Sequence, residues 1–299
     1  MSILLIRKFI SDHYGLAITS IRFIKSGVAN RNYLIVTAQK KYLFKIYSYR
    51  TPAQTEFEVK ILNYLNQKHF PCSPVVKNKQ GKLFGQYESK PAALFVYVEG
   101  QILKKISIRT MVKIGRQIGF LHKLLKNKKE TVQRENWDLV GIKSKVKKFR
   151  PRVLKKKYPH KEEIMNFLDQ ELAKIDLPGS LPTGLTHQDI KPDNIVVDRH
   201  GKLHFIDFDN MYEGTLLVDF MTTVIWICFQ KNKFNRLYFK ALIKGYEQQR
   251  KFSNLEKKFF DQALRFRLLR EAFIWIWLYS DKKAQRLCRS FINLYQELI

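Results

Sequence analysis

One stretch of the sequence carries residue types that could act on a hydroxyl group beside a divalent cation. It reads His187-Gln188-Asp189-Ile190-Lys191-Pro192-Asp193-Asn194, and Asp207-Phe208-Asp209 begins thirteen residues after Asn194. A carboxylate such as Asp189 can orient an alcohol and accept its proton. The amide oxygen of Asn194 and the carboxylate of Asp207 are the hard oxygen ligands that Mg²⁺ prefers. These residue types suit the transfer of a phosphoryl group to an alcohol.

The order of these motifs resembles the aminoglycoside phosphotransferase/choline kinase family of the kinase superfamily. The resemblance implies ATP as phosphoryl donor, Mg²⁺ as cofactor, Asp189 as the catalytic base, and Asn194 and Asp207 as the metal ligands. Lys45 stands on a strand-like run where the family places the lysine that contacts the α- and β-phosphates. Glu58, on the helix that follows, resembles the ion-pair partner of that lysine, and a buried lysine needs such a partner.

The resemblance also implies further contacts with the nucleotide. The segment 26–32 resembles the phosphate-covering loop between the first two strands, which makes Ser26, Gly27 and Asn30 candidate phosphate contacts. Val96 and Val98 end an apolar run that would lead to the hinge and line the nucleotide. Asp209 leaves two alternatives open, a second metal ligand or substrate contact on one side and a turn or capping residue on the other.

The elements that must position these residues divide the chain in two. The first hundred residues alternate with a period near two and contain one helix beginning at Pro52, whereas helical spacing dominates beyond Gly100. This division agrees with the fold that the resemblance implies, which is an α+β, bilobal, protein-kinase-like fold. It consists of a nucleotide-binding lobe with a small antiparallel sheet and one helix (1–98) and a larger helical lobe with the catalytic loop and acceptor site (99–299). One cleft between the lobes would gather residues 45, 189, 194 and 207.

Two classes of kinase share this catalytic loop, and the sequence favours an enzyme acting on small molecules over a protein kinase. The metal motif ends in aspartate where protein kinases have glycine, and no Ala-Pro-Glu segment follows. About 87 residues separate Gly100 from His187, enough for the helical insertion that builds an acceptor pocket in the small-molecule enzymes. Gln188 departs from the glycine that is usual in that family.

The net charge and two local resemblances narrow the choice of phosphoryl acceptor. A net charge of +29 disfavours a polycationic substrate. The segments 27–33 and 90–94 are similar to those of homoserine kinases. We therefore favour a zwitterionic amino alcohol such as homoserine, and keep aminosugars, aminoglycosides and choline-like compounds as alternatives.

The charge also suggests a function of another class. Between Lys123 and Lys157 there are 14 lysines and arginines against three acids. Such a segment could bind nucleic acid or an anionic membrane surface in a catalytically weak kinase-fold module. The competing interpretation is a solvated surface, which we favour because no nucleic-acid-binding motif accompanies the segment.

Cysteine content and hydropathy indicate the compartment. Three cysteines without a CxxC pair suit small buried side chains in a reducing cytoplasm. No apolar run approaches the ~20 residues of a membrane span, and the first ten residues do not read as a signal peptide. The expectation is a soluble cytoplasmic protein.

Overall fold

The computed structural model describes residues 3–24, 30–129, 131–132, 136–230 and 233–298. In chain order the helices and strands are α1 (Ile3–Tyr14), β1 (Ile18–Ile24), β2 (Asn30–Thr37), β3 (Lys41–Tyr47), α2 (Pro52–Gln67), β4 (Val75–Val76), β5 (Gly85–Tyr87), β6 (Lys90–Val96), β7 (Gln101–Ile102), α3 (Ile108–Leu125), α4 (Leu139–Leu154), α5 (Lys161–Lys174), β8 (Thr183–Thr186), β9 (Ile195–Val197), β10 (Leu203–Phe205), β11 (Tyr212–Thr215), α6 (Leu216–Ile227), β12 (Phe229–Gln230), β13 (Lys233–Phe234), α7 (Arg236–Tyr246), α8 (Asn254–Lys258), α9 (Phe260–Leu278) and α10 (Lys282–Gln296).

The chain folds into two compact units. The first, here called the sheet unit, consists of the described residues of Met1–Lys104, Thr131–Gln133 and Asp193–Asp209. The second, the helical unit, consists of those of Lys105–Glu130, Arg134–Pro192 and Asn210–Ile299. The sequence predicted a boundary between two functional lobes at residues 98 and 99, and this boundary stays a prediction.

The sheet unit is built on an antiparallel sheet of six strands. The strands follow the order β1-β2-β3-β6-β4, and β5 pairs with β6. Lys45 lies opposite Asn32 on β2 and Ala93 on β6, so the lysine stands on a central strand. Thr51 caps α2 because its side chain accepts a hydrogen bond from the Gln54 N–H at 3.2 Å. The strands β1 to β3 and helix α2 confirm the sequence predictions, except that β2 already begins at Asn30.

Helix α1 corrects the prediction of one helix in this part of the chain. Ile6 and Ile10 lie one helical turn apart and are fully buried against Phe44 and Leu94 of the sheet. The helix has no acidic residue in its first turn, which left its start without a sequence signal. Burial of the two isoleucines against the sheet is what stabilises it.

A hairpin from the middle of the chain completes the sheet unit. Strands β9 and β10 pair antiparallel, and β7 joins them along β9. The Phe205 N–H donates to the Pro71 oxygen at 3.0 Å, which ties the hairpin to the turn after α2. A Cβ atom on Gly100 would lie 2.3 Å from the Val197 oxygen, so only glycine allows this approach of the two backbones.

The helical unit packs around three contacts between helices. Helices α3 and α7 cross closely, and α9 packs against α6 and α10. Ser107 caps α3, since its side chain accepts a hydrogen bond from the Thr110 N–H at 3.1 Å. Helix α4 lies in the basic segment and was not predicted as a helix. Among the described residues no helix is both long and apolar enough to cross a membrane.

Candidate active site

Lys45 is a buried cation surrounded by carboxylates of the sheet unit. Its residue exposure is 7%, and its Nζ lies 3.5 Å from Glu58 Oε1 and 3.9 Å from Asp207 Oδ1. The Nζ also contacts Asp209 Oδ1. Because burial of an ammonium group is costly without opposite charge, these carboxylates offset the cost of burying the lysine and fix its position.

Glu58 is held by β3 as well as by the lysine. Its side chain on α2 is buried, and its Oε1 accepts a hydrogen bond from the Tyr47 hydroxyl at 2.9 Å. Burial, together with the charge of Glu58, raises the pKa of Tyr47 well above its ordinary value. The tyrosine therefore stays neutral and keeps donating to the carboxylate. The sequence pair Lys45–Glu58 is thus a real ion pair in the structure.

Of the carboxylates around Lys45, that of Asp209 lies closest to it. The sequence did not predict this contact. Oδ2 of Asp209 accepts from the Asn30 side-chain amide, and its backbone oxygen accepts from the Arg50 guanidinium. Asn30, expected on the phosphate-covering loop, therefore stands at the start of β2 with its amide on Asp209. The available signal was the second aspartate of the Asp-Phe-Asp motif, whose role the sequence left open.

The two candidate metal ligands lie at the ends of the β9–β10 hairpin. The Ile206 N–H, next to Asp207, donates to the Asn194 backbone oxygen at 3.0 Å. Asp207 has a φ of 64°, a left-handed conformation rarely adopted by a non-glycine residue. Such strain costs of order 1–3 kcal/mol and is common at ligand sites.

The chemistry of this donor set fits Mg²⁺ carried by a nucleotide. Asn194 is mostly buried, whereas 47% of the Asp207 side chain is exposed and can meet a ligand. The described residues contain no group of three or more His, Cys, Asp or Glu side chains able to hold a metal ion by themselves. Mg²⁺ is commonly bound by one or two protein carboxylates together with substrate phosphates and waters, so a closed protein cage is not required.

The remaining nucleotide candidates fall into two groups. Ser26 and Gly27 lie outside the described residues. Val96 ends β6 with its N–H donated to the Pro74 oxygen at 2.8 Å, so that N–H is not available to a nucleobase. Val98 follows two residues later, is half-buried and lies outside any strand.

Asp189 belongs to the helical unit and carries a pKa raised above the ordinary value. Burial is the largest cause, and the charge of Glu271 adds to it, while Lys191 and His187 oppose it. The Lys191 Nζ lies 2.8 Å from Asp189 Oδ1 and 2.9 Å from Oδ2. A carboxylate with a raised pKa is a suitable proton acceptor for an alcohol.

The backbone of the loop that carries Asp189 is held by hydrogen bonds to the buried carboxylate of Asp219. The His187 N–H donates to Asp219 Oδ2 at 3.0 Å and the Gln188 N–H to Oδ1 at 2.6 Å. Nε2 of His122 lies 3.0 Å from Asp219 Oδ2. Burial opposes ionisation of Asp219, but the hydrogen bond and charge of His122 lower its pKa. This arrangement anchors the loop to α6, whose first turn carries Asp219.

Comparison with known proteins gives the family context. A model of the phosphotransferase enzyme family matches residues 20–252. A homoserine kinase from Zymomonas mobilis subsp. mobilis is 28% identical over 278 residues, which cover 86% of this chain and 82% of that enzyme.

Solved structures share the fold at low sequence identity. An amicoumacin kinase in complex with AMP-PNP, Ca²⁺ and Ami has a TM-score of 0.77 at 14% identity, with 99% of this chain and 94% of that chain covered. A microcompartment-associated aminopropanol kinase has a TM-score of 0.73 at 17% identity, with coverage of 99% and 96%.

Proposed function

Because the chain belongs to the phosphotransferase enzyme family, we propose that it transfers the γ-phosphoryl group of ATP to a hydroxyl group of a small molecule. The observation that carries the proposal is the buried Lys45 among the carboxylates of Glu58, Asp207 and Asp209. A lysine held in this way is a fixed positive charge suited to the phosphates of a nucleotide. The favoured acceptor is an amino alcohol such as homoserine, supported by the similarity to homoserine kinases.

Each residue has one part in the proposed reaction. Lys45 contacts the α- and β-phosphates, and Glu58 keeps its ammonium group in place. Asp189 orients the acceptor hydroxyl and takes its proton as the oxygen attacks the γ-phosphorus. Asn194 and Asp207 hold Mg²⁺, which when bound neutralises phosphate charge. Val98, and the side chain and carbonyl of Val96, line the nucleobase, and Ser26, Gly27 and Asn30 belong to the phosphate loop.

The nucleotide part of the proposal is tested by thermal unfolding with and without Mg²⁺ and ATP. A ligand that binds only the folded chain raises its melting temperature. We expect Mg-ATP to stabilise the wild type, and Asp207→Ala to abolish that stabilisation. Asp169→Ala, the same change on an exposed position of α5, is the matched control and should respond like the wild type. Full Mg-ATP stabilisation of Asp207→Ala would refute the metal assignment.

The acceptor part is tested by incubating the protein with Mg-ATP and one acceptor at a time. The panel contains homoserine, 3-aminopropanol, choline and an aminoglycoside, and mass spectrometry detects each phosphorylated product. We expect the highest kcat/KM with homoserine. Phosphorylation of choline or the aminoglycoside alone would replace the favoured acceptor, and no product from any acceptor would contradict the proposed function.

A further inference from the structure

We propose that Gln188, Arg267 and Arg270 form a positioning assembly that fixes the orientation of Asp189, and that α9 thereby takes part in setting the rate of phosphoryl transfer. All three residues belong to the helical unit and are almost fully buried, with exposures of 2%, 2% and 4%. The inference rests on the proposed function, because it concerns the loop that carries the proposed base.

The backbone of Gln188 adopts a conformation that glycine would adopt without strain. Its φ is 66°, in the left-handed region. A residue with a Cβ atom is disfavoured there by roughly 1–2 kcal/mol. A glycine at the same position would avoid this strain, so the contacts of the Gln188 side chain are the feature that distinguishes this loop.

Every polar group of Gln188 has a partner. Its N–H donates to Asp219, its side-chain amide donates to Thr186 Oγ1 at 2.8 Å, and its Oε1 accepts from Arg270 at 2.6 Å. Its backbone oxygen accepts from Arg267 Nη2 at 3.0 Å. These four contacts favour one geometry of residue 188, because rotation of its side chain or of its peptide group would leave a buried polar group unpaired. Nε and Nη1 of Arg267 and Nε of Arg270 are buried without a hydrogen-bond partner among the described residues.

The network reaches Asp189 through the peptide plane that joins residues 188 and 189. The carbonyl side of that plane is held by Arg267, and the Asp189 N–H on the other side points to His187 Nδ1 at 3.4 Å. The peptide group is planar, so fixing its oxygen and its N–H fixes the direction in which the chain enters Asp189. The peptide plane thus places the Cα atom of Asp189, and the Lys191 Nζ, at 2.8 Å from Oδ1 and 2.9 Å from Oδ2, then holds the carboxylate.

Burial of the charged side chains of Arg267 and Arg270 costs free energy, which argues that these residues have a specific role. Arg267 pairs with Glu271 at 2.6 Å. No carboxylate among the described residues lies within 4 Å of the Arg270 guanidinium, which is held instead by Gln188, by the Tyr212 hydroxyl at 3.2 Å and by the ring of Trp137 at 5.7 Å. Burial, with the adjacent charge of Arg267, lowers the pKa of Arg270 to about 10. Apolar side chains would fill such a site at least as stably.

The experiment uses a double-mutant cycle on the full chain. The single variants are Arg270→Met and Gln188→Gly, and the third variant combines them. Arg265→Met is the matched control, because Arg265 lies on the same helix but pairs with Asp261 at 2.6 Å and does not contact the catalytic loop. For each protein, kcat and KM are measured with Mg-ATP and the best acceptor of the panel.

We expect each single variant to lower kcat by about ten- to a hundredfold, as misplaced catalytic groups do, with KM for ATP unchanged. The double variant should lose little more than the worse single variant, because both changes release the same loop. Arg265→Met should keep the wild-type kcat. A wild-type kcat in a folded Arg270→Met or Gln188→Gly variant, or losses that multiply in the double variant, would overturn the proposal. If Arg270→Met fails to fold, the kcat of Gln188→Gly tests the proposal alone, and a wild-type kcat in that variant would overturn it.

Amide hydrogen exchange separates this inference from the proposed function, because it needs neither ATP nor acceptor. In Gln188→Gly, and in Arg270→Met where it folds, we expect faster exchange in the peptide covering residues 185–191 and unchanged exchange in α3 and α7. Equal acceleration throughout the protein would overturn the positioning role. Selective acceleration in a protein that phosphorylates no acceptor would leave the assembly standing and refute only the kinase activity.

Discussion

The carboxylate of Asp189 experiences two opposing charges in the helical unit. Burial and Glu271 raise its pKa, whereas Lys191 lowers it. A proton acceptor works only when ionised, so activity falls as the pH drops through this pKa. Since the pKa is raised, the acidic limb of the pH profile should lie above that of an ordinary aspartate.

This balance predicts the effect of removing the ammonium group at residue 191. Lys191→Met deletes an interaction that favours the ionised carboxylate, so the acidic limb of kcat/KM should move to higher pH. Lys240→Met, an exposed lysine on α7, is the control and should leave the limb in place. A limb that stays fixed or moves to lower pH in Lys191→Met would show that Lys191 does not act on the base.

The side-chain contacts that could be predicted join residues that belong to family motifs of known order along the chain. Lys45, Glu58 and Asp207 were assigned by order along the chain, and the structure brings their side chains together. The contacts of Asp209 with Lys45, Asn30 and Arg50 join positions more than 150 residues apart, as their numbers show. No local periodicity reports such contacts, so they required the folded chain.

Loss of Asp209 should weaken the fold of the sheet unit as well as the site. Asp209→Ala leaves Lys45 buried with one fewer carboxylate, and removing one partner of a buried ion pair costs roughly 3–5 kcal/mol. Asp193→Ala, an exposed aspartate preceding the same hairpin, should cost less than about 0.5 kcal/mol. Urea unfolding measures both. Equal midpoints for the two variants would contradict the structural role of Asp209.

At the scale of elements, glycines set how closely α3 and α7 approach. A Cβ atom on Gly115 would lie 2.0 Å from the Leu242 oxygen, and one on Gly245 would lie 2.0 Å from the Val112 oxygen. Both neighbours are backbone atoms of the facing helix, so they cannot rotate away. The close crossing of the two helices therefore depends on glycine at both positions.

We accordingly predict that Gly115→Ala destabilises the protein by about 1–3 kcal/mol or more, as overpacking of a core does. Gly179→Ala is the matched control, because no atom lies within 4 Å of the added methyl group and φ is not positive there. Its effect should be neutral or slightly stabilising. Thermal unfolding compares the two, and equal melting temperatures would contradict the close packing of α3 on α7.

The elements found from the sequence were those with clear local signals. The β-rich runs at the start of the chain, the helix that begins at Pro52 and the helices beyond Gly100 appear as predicted. Helix α4 was missed because it is rich in basic residues and contains Pro151. It forms because Ile142, Val146 and Val153 are buried on one face, and that burial is a tertiary effect.

At the scale of the whole molecule, some of the basic residues that produce the net charge of +29 have a structural role. In the basic segment, the Lys156 Nζ donates to the backbone oxygens of Ile276 at 3.0 Å and Tyr279 at 3.1 Å near the end of α9. Lys143 donates to the Ile175 oxygen at 3.1 Å. These lysines satisfy terminal carbonyls of neighbouring helices, so part of the segment stabilises the helical unit.

The family and the protein-kinase-like fold were both predicted from the order of motifs and are confirmed by the comparisons. What the motifs could not give is the acceptor, because none of them distinguishes one small hydroxyl compound from another.

The most direct test of the account is the transfer of the labelled γ-phosphoryl group from Mg-ATP to homoserine by the wild type and by Asp189→Asn. The exchange of carboxylate for amide removes the proton acceptor and leaves the shape of the side chain. We predict product from the wild type, a loss of about a hundredfold or more in kcat for the variant, and unchanged stabilisation of the variant by Mg-ATP. Transfer by Asp189→Asn at the wild-type rate would contradict the account.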